Sequence, residues 1–99
     1  MNLQTVVSTL KEHRQTLDNL GVKSLQLFGS VARNEAKPDS DLDFLVEFVG
    51  QITFDAYMDL KFFLEDLFAT KVDLVIKQDL KPQIRETIVN QAIHVVSSQ

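Results

Sequence analysis

The chain has 99 residues and no cysteine, so disulfides and thiolate metal ligands are excluded and any metal must be held by oxygen or by the two histidines. Hydrophobic residues make up 44% of the sequence and charged residues 24%, a balance that favours one globular domain with a packed core over residues 1–99. The net charge is −4 and lysine and arginine are scattered, so we expect no direct binding to nucleic acid. No stretch approaches the ~20 apolar residues of a membrane span, so we expect a cytoplasmic protein that does not cross a membrane.

The first half of the chain predicts a helix followed by two strands. Apolar residues recur at helical spacing from the N-terminus, and Gly21 stands where such a helix would end. The apolar run over residues 24–28 predicts a strand, followed by a turn at Gly29-Ser30 and a few residues of helix. The run that starts at Asp41 alternates and then becomes almost entirely apolar, which predicts a second strand with one buried face that ends at Gly50.

The second half predicts two helices with a strand between them. Thr53 can cap a helix that runs to about residue 69, and residues 71–76 predict a strand. Pro82 suits the first turn of a further helix over residues 82–90. The short apolar segment 93–96 would then close or cover the edge of the sheet. The expected fold is α/β, with a mixed β-sheet flanked by helices.

Three aspartates form a candidate metal site. Asp41 and Asp43 lie two positions apart at the start of a predicted strand, so their side chains leave one face with Cα atoms about 6.6 Å apart. Carboxylates suit hard divalent cations, and a pair of such metals can clamp the attacking and leaving oxygens of a phosphoryl displacement. Asp73 lies among apolar residues of the next strand and is expected to be buried. If the two strands are neighbours, Asp73 becomes a third carboxylate that holds metal and accepts the proton of an attacking hydroxyl.

A candidate phosphate site precedes the aspartates. Gly29-Ser30 follows a strand and precedes a helical stretch, so backbone N–H groups and the Ser30 hydroxyl are predicted to face an anion. Gly29 also allows phosphate oxygens to approach the backbone closely. Arg33, one turn later, is expected to contact the phosphates or to hold the loop that carries Ser40.

Two other Asp-x-Asp chemistries fit the sequence poorly. An EF-hand loop needs a further oxygen ligand and then glycine, whereas Phe44 and Leu45 follow the aspartates here. A phosphoaspartate phosphatase places its aspartates after an apolar strand, whereas this apolar run comes after Asp43. Both classes are set aside in favour of a nucleotide site.

The spacing of these two motifs resembles a known family. Gly29-Ser30, ten further residues and then Asp41-Leu42-Asp43 resemble the signature of the polymerase-β-like nucleotidyltransferases. The small size, the strand over 71–76 and the helix at Pro82 resemble its minimal branch, many members of which act as antitoxins of an adjacent HEPN-type RNase toxin. Asn34 is a departure, since relatives often have glycine after the arginine.

The resemblance implies Mg²⁺-dependent transfer of AMP from ATP to a tyrosine hydroxyl of a partner HEPN-type toxin. By that resemblance Asp41, Asp43 and Asp73 would hold two Mg²⁺ ions and form the catalytic set. The candidate nucleotide-binding residues are Gly29, Ser30, Arg33 and Ser40. A rival interpretation is a catalytically silent module that binds nucleotide and neutralises the toxin by docking alone. Template-directed polymerisation is not expected, because 99 residues hold only a catalytic core.

The remaining candidates have structural explanations or suggest a protein interface. His13, His94 and Glu47 are expected to be structural or solvated, and a cluster of Lys77, Lys81 and Arg85 either contacts phosphate or partner or is a solvated helix start. The helix over 53–69 carries more phenylalanine than one core-facing stripe requires: Phe54, Phe62, Phe63 and Phe68. Because Phe62 and Phe63 cannot both face the core, part of this helix is predicted to bind a protein.

Overall fold

The N-terminal segment forms two short helices where the sequence predicted one. The computed structural model describes residues 3–29, 41–83, 86, 90 and 93–97. Helix α1 spans Leu3–Glu12 and α2 spans Arg14–Asn19. They separate at His13, whose backbone N–H donates to the Leu10 carbonyl at 3.0 Å, three residues back, so the last turn of α1 tightens.

Four strands form a mixed sheet: the three that the sequence predicted and the C-terminal segment, for which the sequence allowed either closing or covering the sheet edge. Their bounds are Val22–Phe28 for β1, Leu42–Phe48 for β2, Val72–Ile76 for β3 and Ile93–Ser97 for β4. The strand order is β3-β2-β1-β4, with β1 antiparallel to both its neighbours and β2 parallel to β3. The C-terminal segment therefore closes one edge of the sheet as β4, and β3 forms the other edge.

Helix α3, Phe54–Phe68, covers the sheet and has the capping residue that the sequence predicted at its start. The Thr53 hydroxyl accepts the Ala56 N–H at 3.1 Å, and Ala69 ends the helix in the left-handed region at φ 52°. Pro82, Gln83, Glu86 and Asn90 are helical, and the rest of the predicted helix over 82–90 lies outside the described residues. Within the described part of the chain no helix has the length and apolar character needed to cross a membrane.

The core lies between the helices α1, α2 and α3 and one face of the sheet, and strand alternation decides which strand side chains enter it. In β2 the even-numbered residues from Leu42 to Phe48 are buried in the core, whereas Asp43 and Glu47 lie on the opposite face and are half-buried. The Phe44 ring stacks on that of Phe68 with 6.3 Å between centroids. Burial of the apolar side thus fixes the register that leaves Asp43 on the other face.

Two side chains of α3 satisfy backbone groups on the open edge of β3. The Leu42 N–H donates to the Lys71 carbonyl at 3.1 Å, so the polar groups of Val72 and Leu74 point away from β2. The Tyr57 hydroxyl donates to the Leu74 carbonyl at 2.7 Å, and Glu65 accepts the Val72 N–H at 3.1 Å. These bonds hold β3 against α3 and protect an edge strand that would otherwise expose unpaired groups.

The Glu65 contact can be tested with two variants that remove the same charge. Glu65→Gln keeps a carbonyl oxygen that accepts the Val72 N–H, whereas Glu65→Met keeps the length but loses the acceptor. We expect Glu65→Met to lower the free energy of unfolding by about 1 to 2 kcal/mol relative to Glu65→Gln. Urea unfolding measures this loss, and amide hydrogen exchange at Val72 should accelerate only in Glu65→Met. Equal stability of the two variants would show that the contact contributes nothing.

Candidate active site

The ends of three strands meet at one side of the sheet. Phe28, the last residue of β1, pairs with Asp43 near the start of β2, and Asp43 pairs in turn with Asp73 near the start of β3. Partners in adjacent strands project to the same face, so Asp43 and Asp73 lie side by side on the face opposite the core. The predicted proximity of these two strands, and with it the placement of Asp73 beside the Asp-x-Asp motif, is confirmed.

The predicted burial of Asp73 is wrong. Its neighbours Val72 and Leu74 are buried, but Asp73 itself is exposed. The reason is that β3 is an edge strand with only one covered face in the described part of the sheet, so alternation sends the aspartate towards solvent. Asp73 therefore needs no partner to offset desolvation, and its position is open to a second molecule.

Gly29 is required by the backbone and by the neighbouring carboxylate. Its φ is +80°, a conformation that side chains rarely adopt. A Cβ atom at this position would overlap Oδ2 of Asp43 and lie only 3.0 Å from its Cγ. The sequence predicted close approach of a phosphate to Gly29, and the structure shows that the Asp43 side chain also packs against it.

The three predicted metal ligands lie at the same end of the sheet, near the starts of β2 and β3, but their carboxylates do not converge. Asp41 is exposed and lies one residue before β2. Among the described residues no three acidic or histidine side chains come together closely enough to hold one metal ion. An all-oxygen donor set at one end of the sheet suits Mg²⁺ chemically, and binding requires these side chains to turn towards each other.

Of the four nucleotide-binding residues predicted from the sequence, the structure describes Gly29. Ser30, Arg33 and Ser40 lie outside the described residues, as does Asn34. Gly29 is therefore the only predicted phosphate-binding residue whose position the structure gives. It lies directly beside Asp43, the strand partner of Asp73, so the phosphate and metal motifs of the sequence meet at one place.

The opposite end of β2 carries an ion-pair cluster that is separate from the aspartates. Glu47 lies 3.8 Å from the Lys23 ammonium and 4.0 Å from that of Lys77, and it accepts the Ser24 hydroxyl at 3.4 Å. The expectation that Glu47 is not a metal ligand agrees with these contacts. Lys77 follows the C-terminal end of β3, whereas Asp73 lies near its start, so Lys77 belongs to the Glu47 cluster.

One predicted structural residue and two unforeseen ones support the elements around the site. The His13 ring packs edge-to-face against Phe63 at 5.9 Å and lies 2.9 Å from the Thr9 carbonyl, in agreement with a structural role. Sequence reasoning missed Tyr57 and Glu65, which hold the strand that carries Asp73. Their polar groups at helical positions gave no signal of a bond to a distant edge strand.

The sequence profile of the nucleotidyltransferase domain family matches residues 7–95. The chain therefore belongs to the nucleotidyltransferase domain family, and it is a nucleotidyltransferase. Among its relatives, the protein adenylyltransferase MntA of Thermococcus cleftensis is 36% identical over 96 residues, which cover 96% of this chain and 97% of that protein.

Solved structures confirm the fold. A minimal nucleotidyltransferase is 38% identical with a TM-score of 0.82, covering 94% of this chain and 95% of that one. A more distant structure, at 19% identity and a TM-score of 0.60, covers 90% of this chain and 73% of that one. It is a complex of a tri-AMPylated Shewanella oneidensis HEPN toxin with its MNT antitoxin, and at this identity it supports the fold alone.

The Gly29 contact with Asp43 can be isolated by comparing two alanine variants. Gly21 has φ +84°, and a Cβ added there would meet nothing within 4 Å, so Gly21→Ala carries the same backbone strain without the contact. We expect both variants to lose about 1 to 2 kcal/mol of stability. Only Gly29→Ala should also displace the Asp43 side chain and lower nucleotidyl transfer per folded molecule by about 10- to 100-fold. Equal transfer by the two folded variants would show that this packing is unimportant.

Proposed function

We propose that the chain is a Mg²⁺-dependent enzyme that transfers AMP from ATP to a tyrosine hydroxyl of a HEPN-type RNase toxin, and so acts as its antitoxin. The observation that carries this proposal is the register pairing of Asp43 with Asp73, with Gly29 packed against Asp43. Near full-length identity of 36% to a protein adenylyltransferase supports the adenylyl group. The complex from Shewanella oneidensis supports an AMPylated HEPN-type partner.

The proposed roles follow from the position of each residue. Asp41, Asp43 and Asp73 would hold Mg²⁺, which supplies positive charge next to the triphosphate when it is bound. The proposed triphosphate-binding residues are Gly29, Ser30, Arg33 and Ser40.

The reaction itself is a displacement at phosphorus. The acceptor oxygen forms a bond to the α-phosphorus, the bond to the bridging oxygen breaks, and pyrophosphate leaves. Asp73 would accept the proton that the acceptor hydroxyl gives up, because a carboxylate next to the reacting oxygen is suited to general-base catalysis. Exposure of Asp73 on an edge strand favours an acceptor that arrives on another molecule.

The central prediction compares two carboxylates on the same face of β2. The purified chain is incubated with ATP, Mg²⁺ and the protein encoded by the adjacent gene, whose mass is then measured. We expect an AMP adduct on that protein, and a rate at least about 100-fold lower with Asp43→Asn, since loss of a metal ligand removes several kcal/mol of transition-state stabilisation. Glu47→Gln is the control, because Glu47 contacts only lysine and serine side chains in the described residues, and its rate should stay within about twofold.

The same assay separates the enzyme from the rival binding module. Chelation of Mg²⁺ should abolish the adduct and added Mg²⁺ should restore it. If the partner's mass never changes while its toxicity is still blocked, neutralisation occurs by docking alone and the enzymatic proposal is wrong. Tryptic mapping of the adduct to a residue other than tyrosine would contradict the proposed acceptor.

A further inference from the structure

Helix α3 carries an apolar stripe that does not face the core. Its buried residues Leu60, Leu64 and Phe68 face the sheet, whereas Phe54 is 76% and Phe62 58% exposed. Met58 lies between these two at a spacing of four residues, so the three side chains form one stripe about 12 Å long on a helix surface. Core packing does not account for this stripe, and exposed apolar groups that adjoin one another mark interaction sites.

Acidic residues border the stripe near its C-terminal end. Asp59, Phe62, Phe63, Glu65 and Asp66 line a shallow, open depression. Glu65 is already bonded to the Val72 N–H, but no described basic side chain pairs with Asp59 or Asp66. Carboxylates next to an exposed aromatic ring suit an arginine or lysine, which gains an ion pair with the acids and a cation–π contact with the ring.

We propose that this face of α3, defined by Phe54, Met58, Asp59, Phe62 and Asp66, is the docking surface for the protein partner. The partner would present apolar side chains to the stripe and an arginine or lysine to the depression. This inference rests on the proposed function, because it takes the partner to be the toxin.

The negative charge of the docking surface favours one kind of binding partner over others. A second copy of this chain would meet the surface through a two-fold contact, which brings each set of acids close to its own counterpart. Nucleic acid is repelled by the same carboxylates. A basic protein surface is attracted by them, so charge complementarity favours a different protein as the occupant.

The docking surface lies on the helix that supports the edge strand of the candidate active site. Helix α3 is bonded through Tyr57 and Glu65 to β3, the edge strand that carries exposed Asp73. A protein seated on the outer face of α3 therefore borders the strand from which Asp73 projects. Because Asp73 projects from the sheet face opposite α3, a partner docked there would reach around the edge strand β3 to bring an acceptor hydroxyl to the carboxylates.

The test measures the dissociation constant between the full chain and the protein encoded by the adjacent gene, by isothermal titration calorimetry. We expect Phe62→Ser and Asp66→Lys each to weaken binding at least about tenfold. Asp18→Lys makes the same change in net charge at an exposed position on α2 and should stay within about twofold of the wild-type chain. Phe63 is left unchanged because it packs against His13 and the core.

Each outcome bears on the proposal. Wild-type affinity and an unchanged AMP adduct with both α3 variants would overturn the docking surface and leave the proposed function standing. If the wild-type chain neither binds nor modifies the adjacent gene's product, the proposed function fails and the docking surface fails with it. If light scattering shows a wild-type homodimer that Phe62→Ser dissociates, a second copy covers the surface and the charge argument is wrong. Urea midpoints close to the wild-type value confirm that the variants are folded.

Discussion

The parallel pairing of β2 with β3 is the constraint on which the candidate site depends. It sets Asp43 against Asp73, two residues separated by thirty positions in sequence, and leaves both on the face opposite the core. The register is held by burial, because a slip of one residue in β3 would take Leu74 out of the core and turn Asp73 into it, and the same slip in β2 would exchange Phe44 for Asp43. The alternation of side chains along β2 and β3 therefore determines both the core packing and the geometry of the site.

An edge strand that carries a candidate catalytic carboxylate needs support from outside the sheet. Among the described strands β3 has a neighbour on one side only, and α3 supplies the missing partners through Tyr57 and Glu65. These bonds anchor Val72 and Leu74, which flank Asp73, so the helix limits how far that carboxylate can shift. The same helix thus packs the core, holds the edge strand through Tyr57 and Glu65, and carries the proposed docking surface beside Glu65.

Periodicity predicted most of the fold because the core depends on it. The β2 run, the Thr53 cap and the edge segment that became β4 each carry a local signal. Features that depend on contacts between residues distant in sequence carry no such local signal. The break at His13 coincides with a tightened turn, and the exposure of Asp73 depends on its strand being at an edge. The position of Gly29 against Asp43 likewise depends on strand pairing, which no local pattern specifies.

The packing of Asp43 against Gly29 gives a physical reason why the Gly29-Ser30 and Asp41-Leu42-Asp43 motifs occur together. Gly29 directly follows β1 and Asp43 lies near the start of β2, and the antiparallel pairing of Phe28 with Asp43 brings the end of one strand against the start of the other. A carboxylate then occupies the space in which any other residue at position 29 would place its Cβ atom. Glycine is thus required by the position of the carboxylate as well as by its own φ. This mutual dependence favours a working site over an idle one, because a chain that only docks its partner has no need for an aspartate packed there.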